Sequence, residues 1–100
     1  MISRETVDAI RKFTDDRDWK KYHTAENLAK SISIEAAELL EHFQWHNGEI
    51  TDPSPSDGFL DEVADVAIYL VMLVDLMGFK SMDALIKQKL RKNAIKYPVP

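Results

Sequence analysis

The chain has no cysteine, which excludes disulfides and thiolate metal sites together. It has no basic tract and a formal net charge of -4, so a nucleic-acid polymer, which needs a cationic footprint, is not an expected partner. No stretch alternates polar and apolar side chains at period two, so strands are not expected. The most apolar run, 63–79, is short for a membrane span and carries Asp65 and Asp75. Arg4 and Glu5 place charge where a signal peptide needs an apolar core. No membrane association is therefore expected, and a cytoplasmic location is the default. Turn-forming residues gather only in 51–58 (Thr-Asp-Pro-Ser-Pro-Ser-Asp-Gly), which reads as an inter-helix loop too short to separate domains. There is no solenoid-length repeat and no low-complexity run.

What is present is helix. At 100 residues, 45% apolar, residues 1–100 make one small domain. A chain this short buries a modest share of its surface, and an apolar helix left over favours a homo-oligomer. Ser3 can cap a first helix, with Glu5 in its first turn and Val7, Ile10 and Phe13 as its inner stripe. That pattern decays at residues 15–18, and 19–23 reads as a loop or a continuation of the helix. Thr24 can cap a second helix reaching about Trp45 or His46, before the Asn47-Gly48 stop. Ser56 or Asp57 can cap a third, from about Phe59 to Met77, ending at Gly78. A fourth starts near Ser81, presents Met82, Leu85, Ile86 and Leu90, and stops before Pro98. The fold class is all-α, with four helices.

The second helix carries the chemistry. Leu28, Ile32, Ala36, Leu39, Leu40 and Phe43 recur at steps of three and four. Glu35 falls inside that stripe, and Glu38 follows one turn later on nearly the same face. A carboxylate facing a core is costly unless its charge is compensated, and a second one nearby raises the pKa of the first. The third helix is apolar nearly all round, hence expected to be buried, except for one strip holding Glu62, Asp65, Tyr69 and Met72. Two antiparallel helices facing acid to acid would surround one volume with four oxygen donors. That is a hard-cation site for Mg2+ or Mn2+, and Mg2+ commonly bridges to substrate phosphates. On the fourth helix, Lys89, Asn93, Lys96 and Tyr97 lie on overlapping faces and suit phosphate oxygens. Trp19 and Trp45 bracket the second helix and suit stacking on a ring. Each feature also has a plainer reading: a solvated acidic face, surface lysines, packed aromatics. Two acidic pairs, one on a mostly apolar helix, outweigh the plainer reading for the carboxylates. Glu-x-x-His, the spacing of di-iron bundles, is absent, which disfavours an oxygen-activating iron site.

Glu35-x-x-Glu38 followed by Glu62-x-x-Asp65 resembles the signature of the all-α nucleoside triphosphate pyrophosphohydrolases of the MazG-like superfamily. Around it, Arg17-Asp18-Trp19, His23-Thr24 with Asn27-Leu28, Phe43-Gln44-Trp45, Ile68-Tyr69-Leu70 and Lys92-Asn93 with Lys96-Tyr97-Pro98 look like the dCTP pyrophosphatase branch. The resemblance runs from Phe13 to Pro98. It implies a four-helix bundle assembled through helix packing between subunits, as a dimer or tetramer with substrate sites near the interfaces. It implies Mg2+-dependent hydrolysis of a nucleoside triphosphate, a pyrimidine deoxynucleotide such as dCTP, to the monophosphate and pyrophosphate, in nucleotide-pool cleansing. Carried over by position, Glu35, Glu38, Glu62 and Asp65 are the metal ligands, with Glu35 or Glu38 also activating water. Trp19 and Trp45 sit around the base, with His23 and Asn27 nearby, and Tyr69, Lys89, Asn93, Lys96 and Tyr97 contact phosphate or sugar. This chain departs from relatives in having Ile34, Ala36 and Ala37 where glycines are frequent, and Ile10 where some place a polar base-contacting residue.

The rival readings are a non-catalytic helical oligomerisation module with a structural cation, and another all-α nucleotide hydrolase, dUTPase-like or phosphoribosyl-ATP pyrophosphohydrolase-like.

Overall fold

A computed structural model describes residues 2–44, 57–79 and 81–100. Four α-helices account for most of them: α1 (Arg4–Asp16), α2 (Ala25–Glu41), α3 (Asp57–Leu76) and α4 (Met82–Lys96), with a 3-10 turn, Lys20–Tyr22, between α1 and α2. No strand occurs among the described residues.

The helix starts follow from local chemistry. Three hydroxyls accept from the backbone N–H three residues on, which would otherwise have no partner: Ser3 from Thr6, Thr24 from Asn27 and Ser81 from Ala84. Each cap is followed by an acid in the first turn, Glu5, Glu26 and Asp83, which favours the dipole. α3 ends where Gly78 takes φ 80°, a left-handed conformation that costs glycine nothing. The α1 end is less regular. Asp18 adopts φ 54°, tolerated by a short polar side chain. The reversal lets the Trp19 N–H donate to the Thr14 carbonyl at 3.0 Å, which directs the chain onto the 3-10 turn. Segment 19–23 is thus a short turn, not a continuation of α1.

α2 and α3 are antiparallel. The α2 end touches the α3 start, with the rings of His42 and Phe43 edge-on to Phe59 at 5.7 and 5.6 Å. The α2 start faces the α3 end, where Leu28, Met72 and Leu76 line one hollow. α1 lies along the second half of α3 and is fixed there by Arg11, whose guanidinium donates through Nε and Nη2 to both carboxylate oxygens of Asp75. That pairing holds the Asp75 carboxyl below its ordinary range.

The core is small. Leu28, 1% exposed, and Val71, 5%, are its fully buried apolar side chains among the described residues. The expectation of a buried α3 is met on one side only. Its face toward α2 and α1 is covered, whereas Leu60, Val63, Ile68 and Leu70 remain exposed, because two neighbouring helices cannot surround a third. α4 carries Ile86, Leu90 and Ile95 largely in solvent and buries no residue fully. The Cα radius of gyration is 16.2 Å, against about 13 Å for a closed domain of this length. The single chain is an open arrangement of helices, with α4 reaching away from the other three. No helix among the described residues is long and apolar enough to cross a membrane.

Candidate functional site

The antiparallel packing of α2 and α3 brings the two acidic motifs together. Carboxylate oxygens of Glu35, Glu62 and Asp65 lie within 4.8 Å of one another. Oε2 of Glu35 and Oε2 of Glu62 are buried and accept no hydrogen bond among the described residues. Buried carboxylate oxygens without a donor require a proton or a cation. The protein alone resolves this with a proton: the Glu35 pKa rises from 4.5 to about 7. Burial is the largest cause. Hydrogen bonds that only a protonated carboxyl can make to Glu62 and Glu38 come next, then the negative charges of Glu38 and Asp65. Glu38 is half-buried one turn along α2, next to Glu35 but outside the tightest trio.

These donors fit a hard divalent cation. All are oxygens, they converge from two rigid helices, and two of them lack any other partner. Cysteine and histidine, which suit softer metals, are absent from the trio.

A groove of about 530 Å³ runs from this cluster between α1 and α3, within the span of roughly 300–1,000 Å³ usual for small-molecule sites. Glu35 and Asp65 stand in its lining, and Tyr69 and Met72 continue along it from the same strip of α3. Trp19 and His23 contribute from the α1–α2 connection. The Trp19 ring is edge-on to Phe13 at 5.5 Å and to His23 at 6.4 Å, and the Arg17 guanidinium covers the Phe13 ring at 3.5 Å. The indole is thereby held in position while 41% exposed, leaving surface for a flat ligand to stack on.

Not every residue expected at the site is gathered here. Asn27 is exposed and donates its Nδ2–H to the Tyr22 carbonyl at 2.9 Å, which secures the entry to α2 outside the groove lining. Lys89, Asn93 and Lys96 sit in the far half of α4, with Tyr97 just past its end, and they do not line the groove of their own chain. Trp45 lies outside the described residues.

The wall contributed by α1 was read differently from sequence. Ile10 and Phe13 were expected as an inner stripe, that is, as core. They line the groove together with Ala9, and Phe13 is 48% exposed. Apolar spacing marks which face of α1 turns inward; it does not reveal that this face meets a cleft in place of a packed neighbour.

The chain is similar to known proteins in sequence and in fold. A crystal structure of a pyrophosphatase from Archaeoglobus fulgidus matches with TM-score 0.80 and 44% identity, over 95% of this chain and 91% of that one. The dCTP pyrophosphatase 1 of Mus musculus is 33% identical over 94% of this chain and 60% of its own length. That of Bos taurus is 33% identical over 97% of this chain and 62% of its own length. The chain thus spans about three fifths of these curated relatives. The model of the MazG-like family matches residues 30–100, a segment that contains Glu35, Glu38, Glu62 and Asp65. On these matches, the chain belongs to the MazG-like family.

Proposed function

We propose that the protein is a Mg2+-dependent nucleoside triphosphate pyrophosphohydrolase acting on a pyrimidine deoxynucleotide such as dCTP. The observation that carries the reading is the carboxylate trio at the head of the groove, with two buried oxygens that lack donors. The names of the matched relatives, dCTP pyrophosphatases and a pyrophosphatase, point to the same reaction.

Glu35, Glu38, Glu62 and Asp65 would hold the cation, with Mn2+ as a possible substitute. Bound there, it supplies Lewis-acid polarisation of phosphoryl oxygens and neutralises their charge. The residues do the rest. Trp19 and His23 grip the nucleoside, which leaves the triphosphate against the acidic end. Glu35 or Glu38 accepts a proton from a water molecule as its oxygen attacks the α-phosphorus. The bond from that phosphorus to the oxygen shared with the β-phosphorus breaks, and pyrophosphate leaves. Tyr69 is placed on the same strip to contact phosphate or sugar.

Lys89, Asn93, Lys96 and Tyr97 belong to the reading through assembly. A dimer or tetramer that covers the apolar faces of α3 and α4 would bring α4 of one subunit toward the groove of another, where two ammonium groups can offset charge on the leaving group. Asn27 supports the same site indirectly, through the turn that presents His23. The family resemblance assigns a base contact to Trp45 as well. The reaction is consistent with cleansing of the nucleotide pool in a cytoplasmic setting.

The test is turnover of dCTP with and without Mg2+, in the wild type and in Glu38→Gln. We expect Mg2+-dependent release of pyrophosphate that drops at least about a hundredfold in the variant, with circular dichroism unchanged. Full activity in Glu38→Gln would overturn the site. If Mg2+ instead raises the melting temperature while no nucleotide turns over, the protein is an oligomerisation module with a structural cation.

A further inference from the structure

α1 supplies one side of the groove and none of the acids. Thr6, Ala9, Ile10, Phe13 and Thr14 line it from α1, and Asp65, Tyr69 and Met72 line it from α3. The carboxylate trio belongs to α2 and α3. The shape of the groove therefore depends on how α1 is held, whereas the trio does not. α1 is held lightly. Its one fully buried side chain, Thr14, directs its hydroxyl to the carbonyls of Arg11 and Ile10 in its own helix. Of the ion pairs among the described residues, Arg11–Asp75 alone joins two α-helices; the others stay within one helix or in the connection after α1.

The pair is a two-pronged contact. Arg11 Nε donates to Asp75 Oδ2 at 2.9 Å, and Nη2 donates to Oδ1. Nη1 lies 3.5 Å from Oδ1 of Asp8, an oxygen that is also 3.5 Å from Nε of Arg4. All three guanidinium nitrogens are thus engaged, and an acid on the same helix helps to aim the fork at α3. Lys20 and Arg4 add positive charge around Asp75 and, with Arg11, favour its ionised form. Asp75 lies one turn beyond Met72 on α3 and Arg11 follows Ile10 on α1, yet neither lines the groove.

We infer that the Arg11–Asp75 pair is a positioning clasp, which seats α1 as one side of the groove and so sets its affinity for nucleotide without touching the ligand. This rests on the nucleotide reading above and adds two residues to it. With side chains 40% and 32% exposed, the pair contributes little to global stability. A small energy is enough to bias one lightly held helix between seated and unseated. Apparent affinity then scales with the fraction of molecules in which α1 is seated. The carboxylates of α2 and α3 stay in place when α1 moves, so KM changes and kcat does not.

The test compares wild type, Arg11→Gln, Asp75→Asn, the double variant and the control Lys12→Gln, which breaks an ion pair confined to α1. Three readouts are taken: kcat and KM for dCTP with Mg2+, the Kd of the α,β-methylene analogue, which binds without reacting, and hydrogen exchange of the α1 amides, which needs no nucleotide. We expect Arg11→Gln and Asp75→Asn each to raise KM and Kd about three- to fivefold, the range open to an ion pair of this exposure, with kcat unchanged and α1 exchange faster. The double variant should be no worse than either single, because both remove the same link. Lys12→Gln should match wild type. The two singles change the charge in opposite senses. A purely electrostatic influence on a triphosphate would weaken binding in Arg11→Gln and strengthen it in Asp75→Asn, and that result overturns the inference. So does an additive loss in the double variant, or a fall in kcat at constant KM. If one single variant fails to fold, the other decides against Lys12→Gln. Faster α1 exchange in both singles, with no nucleotide bound by wild type, would uphold the clasp and overturn the nucleotide reading.

Discussion

At Glu35 every local influence acts in one direction. Burial, the oxygens of Glu62 and Glu38 and the charge of Asp65 all favour the protonated acid, which raises its pKa from 4.5 to about 7. The folded protein then holds a proton that the unfolded chain has released, so the contribution to stability is complete below pH 4.5 and is lost as pH rises toward 7. The melting temperature of the chelator-treated protein should fall across that window, and Glu35→Gln should flatten the fall. A cation must displace the same proton, so Mg2+ affinity measured by calorimetry should weaken below pH 7, by up to about tenfold per unit. The position of Glu35 was legible in the sequence because a carboxylate interrupting a 3.6-residue apolar stripe has few inexpensive explanations. That Phe13 lines a cleft was not, because an apolar residue on such a stripe reads the same whether it faces a core or a cleft.

Among the elements, α2 is the one on which both the core and the acidic motif depend. Thr24 caps it, and Leu28 is its anchor at 1% exposure. Thr24→Ala should cost about 1 kcal/mol of stability. Leu28→Ala, which leaves a cavity between α2 and the end of α3, should cost about 2–5 kcal/mol. Urea denaturation measures both, and a smaller loss at Leu28 than at Thr24 would contradict this account of the core. Three helix starts were readable from sequence because a hydroxyl cap followed by an acid is a local signal. The turn at Asp18 was not, because its left-handed conformation has no such marker. The meeting of Glu35 with Glu62 and Asp65 was inferred from each helix needing a partner for its acids, and the antiparallel contact of α2 with α3 supplies it.

The whole molecule is more open than its length requires, and the exposed apolar residues are concentrated on α3 and α4. Composition signalled this in advance: an apolar helix in so short a chain has too few neighbours to cover it. How copies of the chain would pair was beyond the sequence, since apolar spacing does not say which surface would cover these faces. Leu90, 60% exposed on α4, is a direct probe. Leu90→Glu should shift the mass seen by analytical ultracentrifugation toward the 11.5 kDa monomer, with a parallel loss of turnover if α4 completes a neighbouring site. The most direct measurement of the central claim is hydrolysis of dCTP with Mg2+ in 18O-labelled water, with the products resolved by phosphorus NMR and mass spectrometry. Attack at the α-phosphorus predicts pyrophosphate free of label and dCMP carrying one labelled oxygen. Inorganic phosphate with dCDP, or label in the pyrophosphate, would contradict it.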